Sequence, residues 1–167
     1  MVDKGAEILG VDVGGVILDF LRHLDSELAF SGPRYLETPE IPDAIDSIAR
    51  LNTGRFESRV YLVSKYLGDG PNRILEWLHE RRFFEKTGIP PERFHPCKER
   101  HEKMPIARDL GITHFVDDRA EVLSYLQGVV PHLYLFQDLD EGADEYQRIR
   151  AEASHVESWK DLYELLK

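Results

Sequence analysis

Short apolar runs alternate with amphipathic stretches along the chain, and this alternation predicts the elements. Residues 8–13 (ILGVDV) form a brief β-rich run closed by Gly14 and Gly15, the pattern of a buried strand. Residues 16–20 are apolar again. Residues 22–40 hold no period and are interrupted by Gly32, Pro33 and Pro39, which reads as loop or hairpin. Residues 42–51 place Ala44, Ile45, Ile48 and Leu51 on one helical face, with Asn52 and Gly54 as stop signals. Residues 59–63 (RVYLV) are a second strand. A turn over 68–71 then leads into one long helix from Pro71 to near Gly88. Beyond it come an extended piece at Phe94 and His95, a helix over 102–110 closed by Gly111, and a strand over 112–116 (ITHFV). A helix over Ala120–Leu126, a strand over His132–Phe136 and a helix over Trp159–Leu166 complete the pattern.

Alternating strands and helices in one unit predict an α/β fold: a Rossmann-like three-layer sandwich with a largely parallel central sheet and helices on both faces. In such sheets ligands bind outside the carboxyl ends of the strands. The polar residues that follow strands therefore share one edge: Asp12 after the first, Ser64 and Lys65 closing the second, Asp117 and Asp118 after ITHFV. Lys103 opens the helix that feeds that last strand. Carboxylates gathered at a sheet edge make a hard-oxygen site suited to Mg²⁺. A lysine and a serine beside them can hold phosphate oxygens, and a carboxylate in such a site can act as a nucleophile. Taken singly, each residue has a plainer reading. Gly14 and Gly15 make a turn, Ser64 ends a strand, Lys103 is a solvated helix residue, and one acid of the pair caps the next helix. Their order and common edge carry more than any one of them.

In that order these residues resemble the motifs of the haloacid dehalogenase superfamily of Mg²⁺-dependent phosphohydrolases, over nearly the whole chain. Asp12 and Val16 match the first motif, Ser64 in YLVSK the second, Lys103 in EKMPIARDLGI the third, and Asp117 with Asp118 in THFVDDR the fourth. Lys98 is a rival for the third. The resemblance implies phosphoryl transfer to Asp12, with Ser64 and Lys103 completing the catalytic set. It implies Mg²⁺ held by Asp12, the Gly14 carbonyl, Asp117 and Asp118, and phosphate contacts from Ser64, Lys65, Lys103 and Gly15. Arg119 and Lys65 are candidates for added positive charge. Two positions depart from the family pattern. Gly14 stands where the family has a second aspartate, which protonates the leaving group and then activates water. Val122 stands where many members carry Asp or Asn, with Glu121 beside it. The alternative implied by Gly14 is a catalytically weakened module kept for binding or regulation.

Only 51 residues separate Asp12 from Ser64. Residues 20–57 are therefore expected to hold a flap or minimal cap and the first crossover helix, within a single domain spanning 1–167. A capless site implies a large phosphorylated substrate, or closure by a second copy of the chain. Phe83, Phe84, Tyr61 and Trp77 are expected in the core or in crossover contacts. His23, His95 and His101 could approach the site from loops.

Composition narrows the function further. The chain has 167 residues, about one domain's worth. With 21 Lys and Arg against 31 Asp and Glu, its net charge of −10 argues against a broad nucleic-acid or anionic-lipid surface. A single cysteine, Cys97, rules out an intrachain disulfide and a cysteine-built zinc site. No apolar run is long enough to span a membrane, and residues 1–9 lack the form of a secretory signal, so a cytoplasmic setting is expected. LGVDVGG also resembles the phosphate-binding start of actin-like sugar kinases, but those need two related domains, and Val16 replaces the usual threonine. A phosphoacceptor domain of the response-regulator type would carry its acid pair near the first strand, not after a late one.

Overall fold

The computed structural model of the chain describes residues 5–20, 30, 32–66, 71–138 and 145–167. Its six strands are β1 (Leu9–Val11), β2 (Val60–Lys65), β3 (Phe94–Cys97), β4 (His114–Asp117), β5 (His132–Phe136) and β6 (Ser154–Val156). They form one sheet in the order β3-β2-β1-β4-β5-β6, with every pair parallel. β1 lies in the middle, with Val11 in register with Leu62 of β2 on one side and Val116 of β4 on the other. The loop leaving β1 is therefore flanked by the ends of both neighbours.

The period-two alternation of the strands divides the core. Leu9, Val11, Leu62, Val116, Tyr134 and Phe136 face one layer, while Val63, Phe115 and Leu135 face the other. The first layer holds α1 (Ala44–Thr53), α2 (Asn72–Glu80), α3 (Phe83–Thr87) and α7 (Trp159–Leu166). The second holds α4 (Lys103–Leu110), α5 (Ala120–Leu126) and α6 (Gln147–Glu152). The result is the expected Rossmann-like α/β sandwich. Ala44, Ile45, Ile48 and Leu51 are all buried, so α1 turns the expected face inward. Ile45, Ile48 and Leu51 each contribute about 1.5–3 kcal/mol on full burial. No helix among the described residues is long and apolar enough to cross a membrane.

The long helix expected over 71–88 is instead two, broken at Arg82, whose φ is 55°. At 100° per residue a continuous helix would group Ile74, Trp77, Leu78 and Phe84 but swing Phe83 to the opposite side. The break buries Phe83 completely along with the others. Arg82 then reaches Glu85 Oε2 at 2.6 Å on the surface. Trp77 is also fully buried, its Nε1 donating to the Thr38 carbonyl at 2.8 Å. The helix α6 and the strand β6 were not expected from the sequence. Of the expected turn at 68–71 only Pro71 is described, and of the loop over 22–40 residues 22–29 and 31, His23 among them, lie outside the described residues. Within 32–40 the chain makes a 3₁₀ turn (Tyr35–Glu37) and returns to the β1 loop, Asp19 N donating to the Pro39 carbonyl at 2.8 Å.

Candidate active site

Immediately after β1 the backbone folds into a tight turn. Ile17 N and Leu18 N both donate to the Val13 carbonyl, at 2.8 and 3.0 Å, and Gly15 N donates to the Leu18 carbonyl at 2.9 Å. Trp159 of α7 reaches across the molecule to this turn, its Nε1 donating to the Val16 carbonyl at 2.7 Å. Gly15 has φ 79°, which favours glycine. A Cβ on it would also fall against Asp118 Oδ2, inside any permissible non-bonded distance. The turn thus brings Asp12 and Asp118 together.

Asp12 follows β1, Asp117 ends β4, Asp118 comes next, and Lys103 opens α4. All four are buried. Lys103 Nζ donates to Asp12 Oδ1 at 2.9 Å and to Asp117 Oδ2 at 2.8 Å. Asp117 Oδ1 accepts the Arg119 N–H at 3.0 Å, which orients the carboxylate. Asp12, Asp117 and Asp118 each offer an oxygen within 4.8 Å of the others.

Two of the three carboxylates, Asp12 and Asp117, share one buried ammonium, and the electrostatics reflect the crowding. Burial, followed by the charge of Asp117, pushes the Asp12 carboxyl up to about 6, despite the opposing pull of Lys103. Burial and the charges of Asp12 and Asp117 raise Asp118 well above the usual carboxylate range. Burial works against the Lys103 charge, but Asp117 and Asp12 outweigh it and hold the proton above the ordinary lysine range. Hard oxygen donors with excess negative charge, held close together, suit a divalent cation.

The cluster floors a pocket of about 50 Å³. One water needs ~10–15 Å³, so the space suits roughly three to five waters, or one phosphoryl group. Phe20, Phe30 and Ile74 supply apolar lining, and Lys65, Arg100 and Arg119 supply cationic lining. Gly14 and Val122 also line it.

The remaining sequence candidates lie as follows. Lys65, at the end of β2, is half-buried and reaches the pocket. Ser64 is buried beside it but does not line the pocket, and its hydroxyl donates to the Lys65 carbonyl at 3.3 Å. Lys98 is exposed, and its backbone N–H donates to Glu102. Of the two rival lysines, Lys103 is the one against the carboxylates. Glu121 is held by Arg100 at 3.1 Å and by Tyr125 at 3.0 Å. His95 packs against Tyr61, and His101 against Tyr125. Phe83 and Phe84 are core residues. Cys97 is buried, and burial pushes its thiol up to about 11, which disfavours the reactive thiolate. Phe20, Phe30, Ile74 and Arg100 were not foreseen. Only the apolar run ending at Phe20 hinted at any of them.

No protein-family model matches the sequence. No curated protein matches it either. Solved structures do match its fold. A haloacid dehalogenase-like hydrolase from Burkholderia xenovorans LB400 superposes with a TM-score of 0.62 at 12% identity, covering 96% of each chain. The D,D-heptose 1,7-bisphosphate phosphatase from Burkholderia thailandensis gives 0.56 at 15% identity, over 94% of this chain and 96% of its own. The cobalt-bound deoxy-D-mannose-octulosonate 8-phosphate phosphatase from Haemophilus influenzae gives 0.53 at 16% identity, over 96% and 86%. The chain therefore has the haloacid dehalogenase-like fold along nearly its whole length.

Proposed function

We propose that this chain is a Mg²⁺-dependent phosphohydrolase that forms a phosphoaspartate on Asp12. The observation that carries the reading is the buried contact of Asp12 with Lys103, beside Asp117 and Asp118, on the floor of a phosphoryl-sized pocket. Two structures of the same fold are phosphatases for sugar phosphates, and one of them is a cobalt-bound form, which supports the substrate class and the divalent ion.

In this reading Asp12, the Gly14 carbonyl, Asp117 and Asp118 hold the ion. Mg²⁺, when bound, offsets the carboxylate charge and polarises a phosphoryl oxygen. Lys103 holds one oxygen of Asp12 in place and neutralises part of the charge that gathers in the transition state. Lys65 and the backbone at Gly15 bind phosphoryl oxygens. Ser64 joins them by turning its hydroxyl from the Lys65 carbonyl. Asp12 attacks phosphorus, the bond to the leaving oxygen breaks, and water then releases phosphate from Asp12. With only 51 residues between Asp12 and Ser64, this reading leaves no room for a sizeable cap and favours a large phosphorylated substrate.

The test is hydrolysis of 4-nitrophenyl phosphate with and without Mg²⁺, comparing the native chain with Asp12→Asn. A rate that needs both Mg²⁺ and Asp12 is expected, and equal rates for the two proteins overturn the reading. Gly14 favours a second reading, a weakened member that binds a phosphorylated partner. That reading predicts Mg²⁺-dependent binding of phosphate with no turnover.

A further inference from the structure

Arg100 and Lys103 reach the phosphoryl pocket from one short stretch of backbone. Arg100 opens a 3₁₀ turn (Arg100–Glu102) that runs directly into α4, and the Lys103 N–H donates to the Arg100 carbonyl. Side chains three apart in a 3₁₀ turn lie one above the other. Both residues accordingly line the pocket that Asp12, Asp117 and Asp118 floor.

Arg100 is aimed from α5. Its Nη1 donates to Glu121 Oε2 at 3.1 Å, and the Tyr125 hydroxyl donates to Glu121 Oε1 at 3.0 Å. The Glu121 carboxylate is thus held at both oxygens. His101, the next residue of the turn, meets the Tyr125 ring edge to face at 6.4 Å. Two successive residues therefore fasten the turn to α5. As a stabilising device the ion pair is weak: its side chains are 31% and 29% exposed, and pairs in contact with water add little to stability. Its consequence is orientation. A guanidinium carries five N–H donors in a rigid fork, and the bond to Glu121 uses one of them while restricting how the fork turns.

We infer that Arg100 is a catalytic residue of the proposed hydrolase, binding oxygens of the transferring phosphoryl group, and that Glu121 is its positioning residue. This inference rests on the hydrolase reading and adds a contact to it. The contacts assigned above come from Lys65 and the backbone at Gly15, and Ser64 must turn its hydroxyl to join them. Arg100 lines the pocket without such a turn. A lysine acts as a point charge, whereas an arginine fork takes two phosphoryl oxygens at once. During transfer the charge spreads over three equatorial oxygens of the moving group. A fork held in place beforehand stabilises that charge without reorganising. Arg100 keeps its proton throughout, so the bonds made and broken at phosphorus are those already described.

The test reads two quantities in Mg²⁺: binding of inorganic phosphate by calorimetry, and kcat/KM for 4-nitrophenyl phosphate. Arg100→Ala should weaken phosphate binding about 10–100-fold, the range for a hydrogen bond to a charged group. It should lower kcat/KM by ~10²-fold or more, as for loss of a preorganised donor. Guanidinium chloride, well below denaturing concentrations, should restore part of that rate, and sodium chloride at equal ionic strength should not. Glu121→Gln should cost less kcat/KM than Arg100→Ala, with little movement of the urea midpoint. The double variant should be no slower than Arg100→Ala alone, because the two residues act as a unit. Native phosphate affinity and native kcat/KM in Arg100→Ala overturn the inference and leave the hydrolase standing. A loss that guanidinium leaves untouched and that follows a lowered urea midpoint marks a structural role and overturns it too. Native kcat/KM in Glu121→Gln overturns the positioning role. If Asp12→Asn hydrolyses as fast as the native chain, the hydrolase reading falls instead, and phosphate binding alone decides the contact at Arg100.

Discussion

Lys103 Nζ sits 2.9 Å from Asp12 Oδ1, across 91 residues of sequence, with both side chains nearly inaccessible to solvent. The pair is held inside an excess of negative charge, because Asp117 and Asp118 lie in the same cluster. Replacing Lys103 by methionine keeps most of the side-chain volume and leaves the carboxylates without their cation. Removing one partner of a buried ion pair costs about 3–5 kcal/mol. We expect Lys103→Met to lower the urea midpoint by a corresponding amount in EDTA, with part of the loss returned by Mg²⁺. Hydrolysis should fall by at least ~10²-fold, as for loss of a preorganised electrostatic contact. A variant as stable as the native chain in EDTA would contradict this account of the cluster.

Gly15 is fixed both by its backbone angle and by the approach of Asp118. Gly15→Ala forces the carboxylate away or the turn open. The expected cost is about 1–3 kcal/mol, in the range for strain at such a backbone position. Mg²⁺ should raise the melting temperature of the native chain, through preferential binding to the folded state, and this rise should largely disappear in the variant. Scanning calorimetry with and without Mg²⁺ checks both effects.

Trp159→Phe keeps an aromatic ring in the core and removes the donor to the Val16 carbonyl. A buried acceptor left unsatisfied costs about 1–3 kcal/mol. The urea midpoint should fall by that amount with an unchanged slope. Because the lost contact braces the turn after Asp12, kcat/KM should fall as well. Stability loss with native kcat/KM would show that the turn holds without it.

His114 tests the opposite end of the sheet. It is buried, stacks on His132 at 4.4 Å, and pairs with Thr113 Oγ1 at 2.8 Å. Burial, the neighbouring His132 and Arg55 push its pKa down to about 4, with Glu7 opposing. An unfolded histidine titrates near ~6.5. Between these values the unfolded chain binds the extra proton, so this contribution to stability is complete above about 6.5 and is lost as the pH falls toward 4. The full loss is about 3 kcal/mol. Urea midpoints at pH 7 and pH 5 should differ more for the native chain than for His114→Asn, and equal differences would count against it.

The site was legible where chemistry and topology coincide. Asp12, Lys103, Asp117 and Asp118 stand next to strands or at a helix start, and a parallel sheet brings such positions to one edge. The face of α1 was legible because Ala44, Ile45, Ile48 and Leu51 keep a helical period. The break at Arg82 was not, because helical propensity there favours continuation and only the burial of Phe83 opposes it. β6 has three residues, and its Ser154 and His155 are exposed, which leaves too little pattern to read. Phe20 appeared in sequence as the end of an apolar run. Its contact with Gly14, where a Cβ would lie 2.6 Å from the ring, depends on how the turn doubles back, which the order of apolar and polar residues does not encode.

The contact of Trp159 with the turn after Asp12 also orders events during synthesis. The turn leaves the ribosome first, and its Val16 carbonyl meets its partner only 143 residues later. At ~5–20 residues per second that is a wait of roughly 7–30 s. Through that interval the growing chain can pair β1 with β2 and β4, while the nucleophile's turn still lacks its last brace. A competent site therefore forms only after α7 has emerged, and a nascent chain halted before α7 would carry the four charged residues without the brace that completes their turn.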